Sequence, residues 1–436
     1  MQNKILNKSG WWIISFLTVL PVIMWAFDAP LSQRFSSLSA ISTGVGQIFG
    51  LSGFALFSCA MILSARIKLF EKFFGNLNET YFSHHFIGGV AFSLLLIHPL
   101  LLAYNYLLVS YRAAAMFFLP SAGNLPQAYG TIGLALMIIF LFITFYTKIK
   151  YQVWKFTHKF MGLAFVFAFL HTLTIGFDVA QNPALKYYFF VLGSLGILAF
   201  LYRALFNAFL VKRYDYSFVE AKNHPDSIYE LEFAPKGREI KFSAGQYVFI
   251  KLYSDKVSRE SQPFSISSSP GKTLKIAIKE LGDYTEKIKY LKAGERAKIE
   301  GPYGSFIFRN YDNKKQIWIA GGVGITPFLS MLRDLKPEDS GYKIDLFYSV
   351  KDRGRLAFKE EIEYIKKSNN NLNVVFWPTD TLGFLTAEFI ARNIDDAMEK
   401  DVLICGPGIM MKQLKEQFLK IGINKNAIHT EEFKLY

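Results

Sequence analysis

Two apolar stretches of this chain repeat one pattern, and the remainder can be placed around them. Residues 85–98 run from His85 through FIGGVAFSLLLI to His98, and residues 158–171 from His158 through KFMGLAFVFAFL to His171. In both, the histidines are thirteen positions apart, with glycine four residues after the first (Gly89, Gly162) and Ala-Phe six and seven after it (Ala91, Phe92; Ala164, Phe165). Thirteen helical residues rise roughly 20 Å, most of the depth of a bilayer's hydrocarbon core. Two such helices side by side offer one histidine pair near each membrane face. Ionisable groups at that depth are costly and mark function. Neutral imidazole is a common axial ligand of haem iron, one from each side of the macrocycle. The expectation is two stacked b-type haems held by His85, His98, His158 and His171. Fourteen helical residues return to one face better than thirteen, so His84 competes with His85 for the inner position.

Nearly all long apolar runs fall before residue 212, and the rest has ordinary soluble composition. Candidate spans cover residues 11–27, 44–64, 86–109, 131–147, 160–177 and 187–211, and the sole Asp, Glu, Lys or Arg within them is Arg203. Each reaches or approaches the roughly 20 apolar residues that a crossing needs. The first reads as a span and not as a cleaved leader, because no small-x-small site follows it. Basic residues set the orientation. Lys4 and Lys8 precede span one, Arg66, Lys68 and Lys72 link two to three, and Lys148, Lys150, Lys155 and Lys159 link four to five. Lys212 and Arg213 follow span six, whereas the opposite loops hold only Arg34, Arg112 and Lys186. By the positive-inside rule both termini and the soluble half of this integral membrane protein are expected to be cytoplasmic. His85 and His158 then form the inner pair, and His98 and His171 the outer. The net charge of +14 lies on the cytoplasmic rim and the soluble half, where anionic lipid and a dinucleotide explain it; nucleic acid is not expected. With two cysteines, Cys59 and Cys405, no disulfide framework or Cys-ligated iron–sulfur centre can form, so redox chemistry falls to bound cofactors.

From Tyr214 the pattern turns to short alternating segments (YSFVEA, IYELEF, GQYVFIKL, PFSISSS, LKIAIKEL, RAKIEGP), six strands spaced as in a small antiparallel barrel. After Asn313, apolar strands alternate with helical segments, the mark of a doubly wound α/β sheet. Three domains are expected: residues 1–212 as a six-helix membrane bundle, 213–312 as a β-barrel and 313–436 as an α/β nucleotide-binding domain. Gly321-Gly322-Val-Gly324-Ile-Thr326-Pro327 sits between a strand and a helix, where backbone N–H groups can approach a pyrophosphate. Cys405-Gly406-Pro407-Gly408 follows the last long strand, on the carboxyl edge where ligands bind. Lys351, Arg353 and Arg355 follow the strand ending at Val350, where a ribose 2′-phosphate would lie; NADPH is favoured and NADH is possible.

Taken in order, the paired histidines, Gln262-Pro-Phe-Ser265, Ile278-Lys-Glu-Leu-Gly-Asp-Tyr-Thr285, Gly301-Pro-Tyr-Gly304, the glycine turn and the CGPG turn resemble the NADPH oxidase and ferric reductase superfamily. In that family a six-helix ferric-reductase-like domain is fused to a ferredoxin–NADP reductase-like dehydrogenase. The resemblance implies that Pro263, Phe264 and Ser265 line the isoalloxazine of FAD. It implies that Lys279, Gly282, Asp283, Tyr284 and Thr285 hold the FAD pyrophosphate, and that Phe433, or else Tyr436, covers the flavin. The reacting groups would be Phe264, Ser265, Cys405 and Phe433. Gln262 stands where relatives often carry His or Arg, and three residues follow Phe433 where relatives often end on an aromatic. The implied path runs from NADPH through FAD and two haems to a small acceptor across the membrane: oxygen giving superoxide, or a ferric chelate. A third reading is an electron-supplying subunit for another acceptor. Gln47, early in the second span, is a polar candidate beside the outer haem. No calcium-binding loop pattern occurs in the sequence, so constitutive activity is expected.

Overall fold

The computed structural model describes residues 2–146, 149, 151–176, 178–206 and 211–431. The chain divides into two compact units, Met1–Val211 and Lys212–Tyr436.

Among the described residues of the first unit, six helices are long and apolar enough to cross a membrane. They are α1 (Gln2–Asp28), α2 (Leu38–Leu63), α3 (Leu77–Leu107), α4 (Leu125–Tyr146), the pair α5 (Tyr151–His158) and α6 (Met161–Thr174), and α7 (Pro183–Phe200). Two details depart from the sequence reading. First, α3 begins nine residues before the apolar run, because Asn76 caps it by accepting from Glu79 N at 2.8 Å. Second, the segment between His158 and His171 is not one helix. Lys159 N donates to Phe156 O at 3.2 Å and Phe160 N to Thr157 O at 3.0 Å; these three-residue bonds tighten the turn between α5 and α6.

Helices α2 and α3 pack through a stripe of small residues. Gly46 faces Leu101 and Leu102, Gly50 faces His98, and Gly53 faces Leu95, a spacing that lets two helix backbones approach closely in a membrane. On the far side of α2, Phe54 stacks on Phe165 of α6 with centroids 5.5 Å apart and meets Phe189 of α7 edge-on at 5.6 Å. Gly196 and Gly193 of α7 make room for Phe165 and Phe169.

The second unit holds two sheets. Strands β1 (Arg213–His224), β2 (Ile228–Pro235), β3 (Tyr247–Tyr253), β4 (Ser261–Ser265), β5 (Leu274–Lys279) and β6 (Arg296–Tyr303) form an antiparallel sheet ordered β4-β3-β6-β1-β2-β5. An isolated bridge, Ile266 to Ile276, links the chain just after β4 to β5. Leu231, Phe233, Val248, Ile250, Ile276 and Ile299 fill its core. Strands β7 (Lys315–Gly321), β8 (Lys343–Val350), β9 (Leu372–Pro378), β10 (Asp401–Cys405) and β11 (Ile428–Glu431) form a parallel sheet ordered β11-β10-β7-β8-β9. Helices α8 (Ile325–Arg333), α9 (Lys359–Lys367), α10 (Ala387–Asn393) and α11 (Gly408–Lys420) accompany it. Along β7, Ile317 and Ile319 join one buried cluster with Leu414 and Phe418, and Trp318 and Ala320 join another with Phe328 and Leu329. Successive side chains point to opposite faces of a strand, so both faces of this sheet are covered. That explains why its strands read as continuous apolar runs.

Candidate redox site

The membrane histidines meet in two pairs. The rings of His84 (α3) and His158 (α5) have centroids 6.4 Å apart at 80°, and those of His98 (α3) and His171 (α6) are 6.4 Å apart at 64°. With metal–imidazole bonds of about 2.0–2.1 Å, two rings on opposite sides of one ion would have centroids about 6.3 Å apart. Both pairs match that spacing. Their outer nitrogens are held as well: His84 Nδ1 lies 2.8 Å from Ala60 O, His98 Nδ1 2.7 Å from Gly46 O, and His171 Nδ1 2.7 Å from Pro126 O. A carbonyl can only accept, so each Nδ1 carries the proton and each Nε2 presents its lone pair. His158 Nδ1 is buried without a hydrogen-bond partner.

The His98 and His171 seats are built alike. Each acceptor carbonyl lies four residues before a glycine that the ring packs on, Gly46 before Gly50 and Pro126 before Gly130. A Cβ would stand 2.9 Å from His98 at Gly50 and 2.8 Å from His171 at Gly130. Among the described residues no group of three or more His, Cys, Asp or Glu is placed to hold a metal ion. Two donors per level suit an ion that brings its other ligands with it, as porphyrin iron does.

At the level of His158, helix α3 carries two neighbouring histidines. The His84 ring pairs with that of His158, and His85 is exposed, its ring 5.4 Å from that of His84. In a continuous helix the fourteen-residue pair His84–His98 shares a face, and the thirteen-residue pair does not. Gln47 stands in a polar cluster. Its Oε1 accepts from Trp25 Nε1 at 3.3 Å and Arg34 Nη1 at 3.5 Å, with the guanidinium 4.0 Å over the Trp25 ring. A cation therefore does stand there, balanced by Asp28 at 3.8 Å.

In the second unit, β4 pairs Pro263 with Phe249, Phe264 with Val248 and Ser265 with Tyr247. Phe264 stacks on Tyr284, centroids 6.2 Å apart, so two of the expected flavin neighbours come together. Gly282 has φ +94° with open space where a Cβ would project, and Asp283 beside it is exposed. The Thr285 hydroxyl serves its own turn, accepting from Leu281 N at 2.7 Å and donating to Gly282 O at 3.1 Å. Lys279, at the end of β5, is ion-paired with Asp226. Gln262 donates to Glu260 at 3.2 Å.

The two glycine turns touch. A Cβ on Gly324 would stand 2.4 Å from Cys405 O, and one on Gly321 2.9 Å from Pro407, so glycine is needed for backbone to lie on backbone. They meet where the sheet order reverses, between β7 and β10, the crevice in which such sheets bind ligands. Gly406 lies in the same contact, and Gly322 (φ +54°) faces open space. Pro327 is buried in α8, and Thr326 closes the turn by donating to Val323 O at 2.7 Å. Burial, then the Glu431 carboxylate, pushes the Cys405 thiol far above its ordinary range, which keeps it neutral. Glu431, in register with Cys405 on β11 and only 4% exposed, was not singled out from the sequence. Its signal is its place in Glu431-Glu-Phe433. Phe433 and Tyr436 lie outside the described residues. Beyond β8, Lys351 O accepts from Asp380 N at 2.9 Å, Arg353 opens a short helical turn, and Arg355 lies between Asp352 at 2.8 Å and Asp226 at 2.9 Å.

The two sheets are joined by Arg333 at the end of α8. It donates to Glu230 at 2.6 Å, Ser267 O at 3.0 Å and Glu361 at 2.6 and 2.7 Å. Beside it the His224 ring packs on Phe358 at 4.0 Å.

Comparison with known proteins gives three matches in order. Residues 49–169 match the ferric reductase like transmembrane component, 213–307 an FAD-binding domain, and 318–416 an oxidoreductase NAD-binding domain. The chain is similar to flavohemoprotein B of Dictyostelium discoideum, 29% identical over 45% of this chain and 53% of that protein. It is also similar to the phenol hydroxylase P5 protein of Acinetobacter pittii, 29% identical over 51% of this chain and 66% of that one. The chain thus spans between half and two thirds of these relatives. A flavohemoglobin structure from Malassezia yamatoensis aligns over 72% of this chain and 88% of its own at 19% identity, TM-score 0.49. A ferric-reductase-like membrane component followed by FAD-binding and NAD-binding domains is the NADPH oxidase/ferric reductase-like architecture, and that is the architecture of this chain.

Proposed function

We propose that the chain carries electrons from cytoplasmic NADPH, or NADH, across the membrane to oxygen, forming superoxide. The observation that supports this most is the pair of imidazole couples, each at 6.4 Å, with Nδ1 of three of the four rings bound to a peptide oxygen so that Nε2 keeps its lone pair. His84 and His158 would hold one haem iron, and His98 and His171 the other. When bound, FAD and the two haems supply the electron-carrying chemistry between nicotinamide and acceptor. The protein's part is placement and electrostatics. Phe264 and Tyr284 offer an apolar wall to a flavin ring, and Ser265 offers a hydroxyl at its edge. The open turn at Gly282 offers backbone N–H groups to a diphosphate. The touching turns at Gly321–Gly324 and Cys405–Pro407 seat the dinucleotide, and the buried neutral thiol of Cys405 withholds a competing charge from the nicotinamide.

The ferric-reductase-like match supports a ferric chelate as the second acceptor. NADPH-driven cytochrome c reduction by the purified chain separates the two: superoxide dismutase is expected to abolish it, and insensitivity refutes the oxygen reading. Haem ligation is tested by haem content. His84→Ala, His98→Ala, His158→Ala and His171→Ala are each expected to lose one of two haems, and His85→Ala neither. Unchanged haem content in the first four sinks the proposal.

A further inference from the structure

The turn between β1 and β2 carries a feature that the redox reading does not use. Pro225, Asp226 and Ser227 join the paired residues His224 and Ile228, and Asp226 (φ 63°) and Ser227 (φ 53°) are both left-handed without being glycine. Such residues are uncommon, and strain of this kind collects where function needs a fixed geometry. What the turn fixes is the Asp226 carboxylate. Its side chain is 8% exposed and shared by two cations, Lys279 Nζ and, at 2.9 Å, Arg355 Nη1. Arg355 Nε is itself 2.8 Å from Asp352.

Arg355 stands just past the carboxyl end of β8, the second strand of the nucleotide-binding β–α–β unit. At that place an acidic side chain grips a ribose 2′-hydroxyl, or an arginine accommodates a 2′-phosphate. Here the arginine is flanked by two carboxylates, and one of them belongs to the other sheet. A phosphate approaching this guanidinium must settle beside two negative charges, whereas a hydroxyl meets no such repulsion and can donate to Asp352.

We propose that Asp226 is a specificity-determining residue of the adenosine 2′ site: by occupying Arg355 it disfavours a 2′-phosphate and brings NADH level with NADPH. The inference rests on the NAD(P)H reading of the parallel sheet. Asp226→Asn keeps the side chain's shape and its tolerance of the left-handed region, and it frees Arg355 for a forked contact to phosphate.

The test uses the full chain in detergent. Binding of 2′-phospho-AMP and of 5′-AMP is titrated calorimetrically, and kcat/KM for NADPH and NADH is measured with ferricyanide, an acceptor that needs no haem. Asp226→Asn is expected to tighten 2′-phospho-AMP about tenfold, as removing one close charge from a partly screened site does. AMP binding should stay within about twofold, and the NADPH/NADH ratio should rise in step. Asp226→Glu should keep the wild-type ratio, and Arg355→Ala added to Asp226→Asn should erase the gain. Equal changes for both nucleotides, or a gain that survives loss of Arg355, overturn the proposal. Failure of the wild-type chain to bind either probe overturns the nucleotide reading itself.

Discussion

A single methyl group at Gly50 or Gly130 is expected to remove one haem of two and spare the other. The Cβ of Gly50→Ala would stand 2.9 Å from Nδ1 and Cε1 of His98, and that of Gly130→Ala 2.8 Å from Nδ1 of His171. Ordinary carbon contacts are about 3.5–4.0 Å, so either ring must retreat by most of an ångström. The retreat costs about 1–3 kcal/mol in overpacking and weakens an Nδ1–carbonyl bond worth about 1 kcal/mol. Against this, alanine in place of glycine favours a helix by about 1 kcal/mol. The balance is a loss of about 1–3 kcal/mol, or roughly 5- to 150-fold in affinity, which spans the roughly 10- to 100-fold seen when a metal ligand's supporting bond is removed. Gly89→Ala is the control: nothing lies within 4 Å of its Cβ position. Haem per polypeptide from the pyridine haemochrome, with reduced-minus-oxidised spectra, reads the outcome. Two haems retained in Gly50→Ala and Gly130→Ala, or one lost in Gly89→Ala, would refute the reasoning.

Two further outcomes follow from the contact between the sheets. Arg333→Ala leaves Glu230, 6% exposed, without its ion pair, and removing one partner of a buried pair costs about 3–5 kcal/mol. Thermal melting of the flavin-bound chain should fall by several degrees, and retention of the wild-type midpoint would contradict the clamp. Burial holds His224 below its ordinary range. A half-buried histidine kept neutral binds fewer protons than the unfolded chain, so its share of stability is full above about pH 6.5 and declines as pH falls towards the lowered value. The melting midpoint should therefore drop on acidification from pH 7 to 5, and His224→Gln should flatten that slope.

The repeated histidine pattern made the membrane site legible, but its phase did not carry over. The second copy is interrupted after His158 by turns of about three residues, which bring a thirteen-residue pair back towards one face. The first copy is continuous and needs fourteen. Matching the copies therefore favoured His85, while helix geometry alone pointed to His84. The soluble half was legible where a residue's type carries its role, as in the glycine turns that pack backbone on backbone. It was not legible where a role depends on a partner far away in sequence. Asp226 meets Arg355 across 129 positions, and Glu431 meets Cys405 only because β11 lies beside β10. An acidic residue in a turn gives no sign of which cation it will find.

Three of the four imidazoles that meet in pairs are oriented by peptide oxygens, those of residues 46, 60 and 126. Exchanging a side chain at these positions leaves its oxygen in place, so the devices that fix the ring tautomers are not groups that a substitution can delete. Only a change that displaces the main chain, by bulk at a neighbour or by a shift of a whole helix, can release them. The placement of the ring protons is thereby tied to how the helices pack and not to any replaceable side chain.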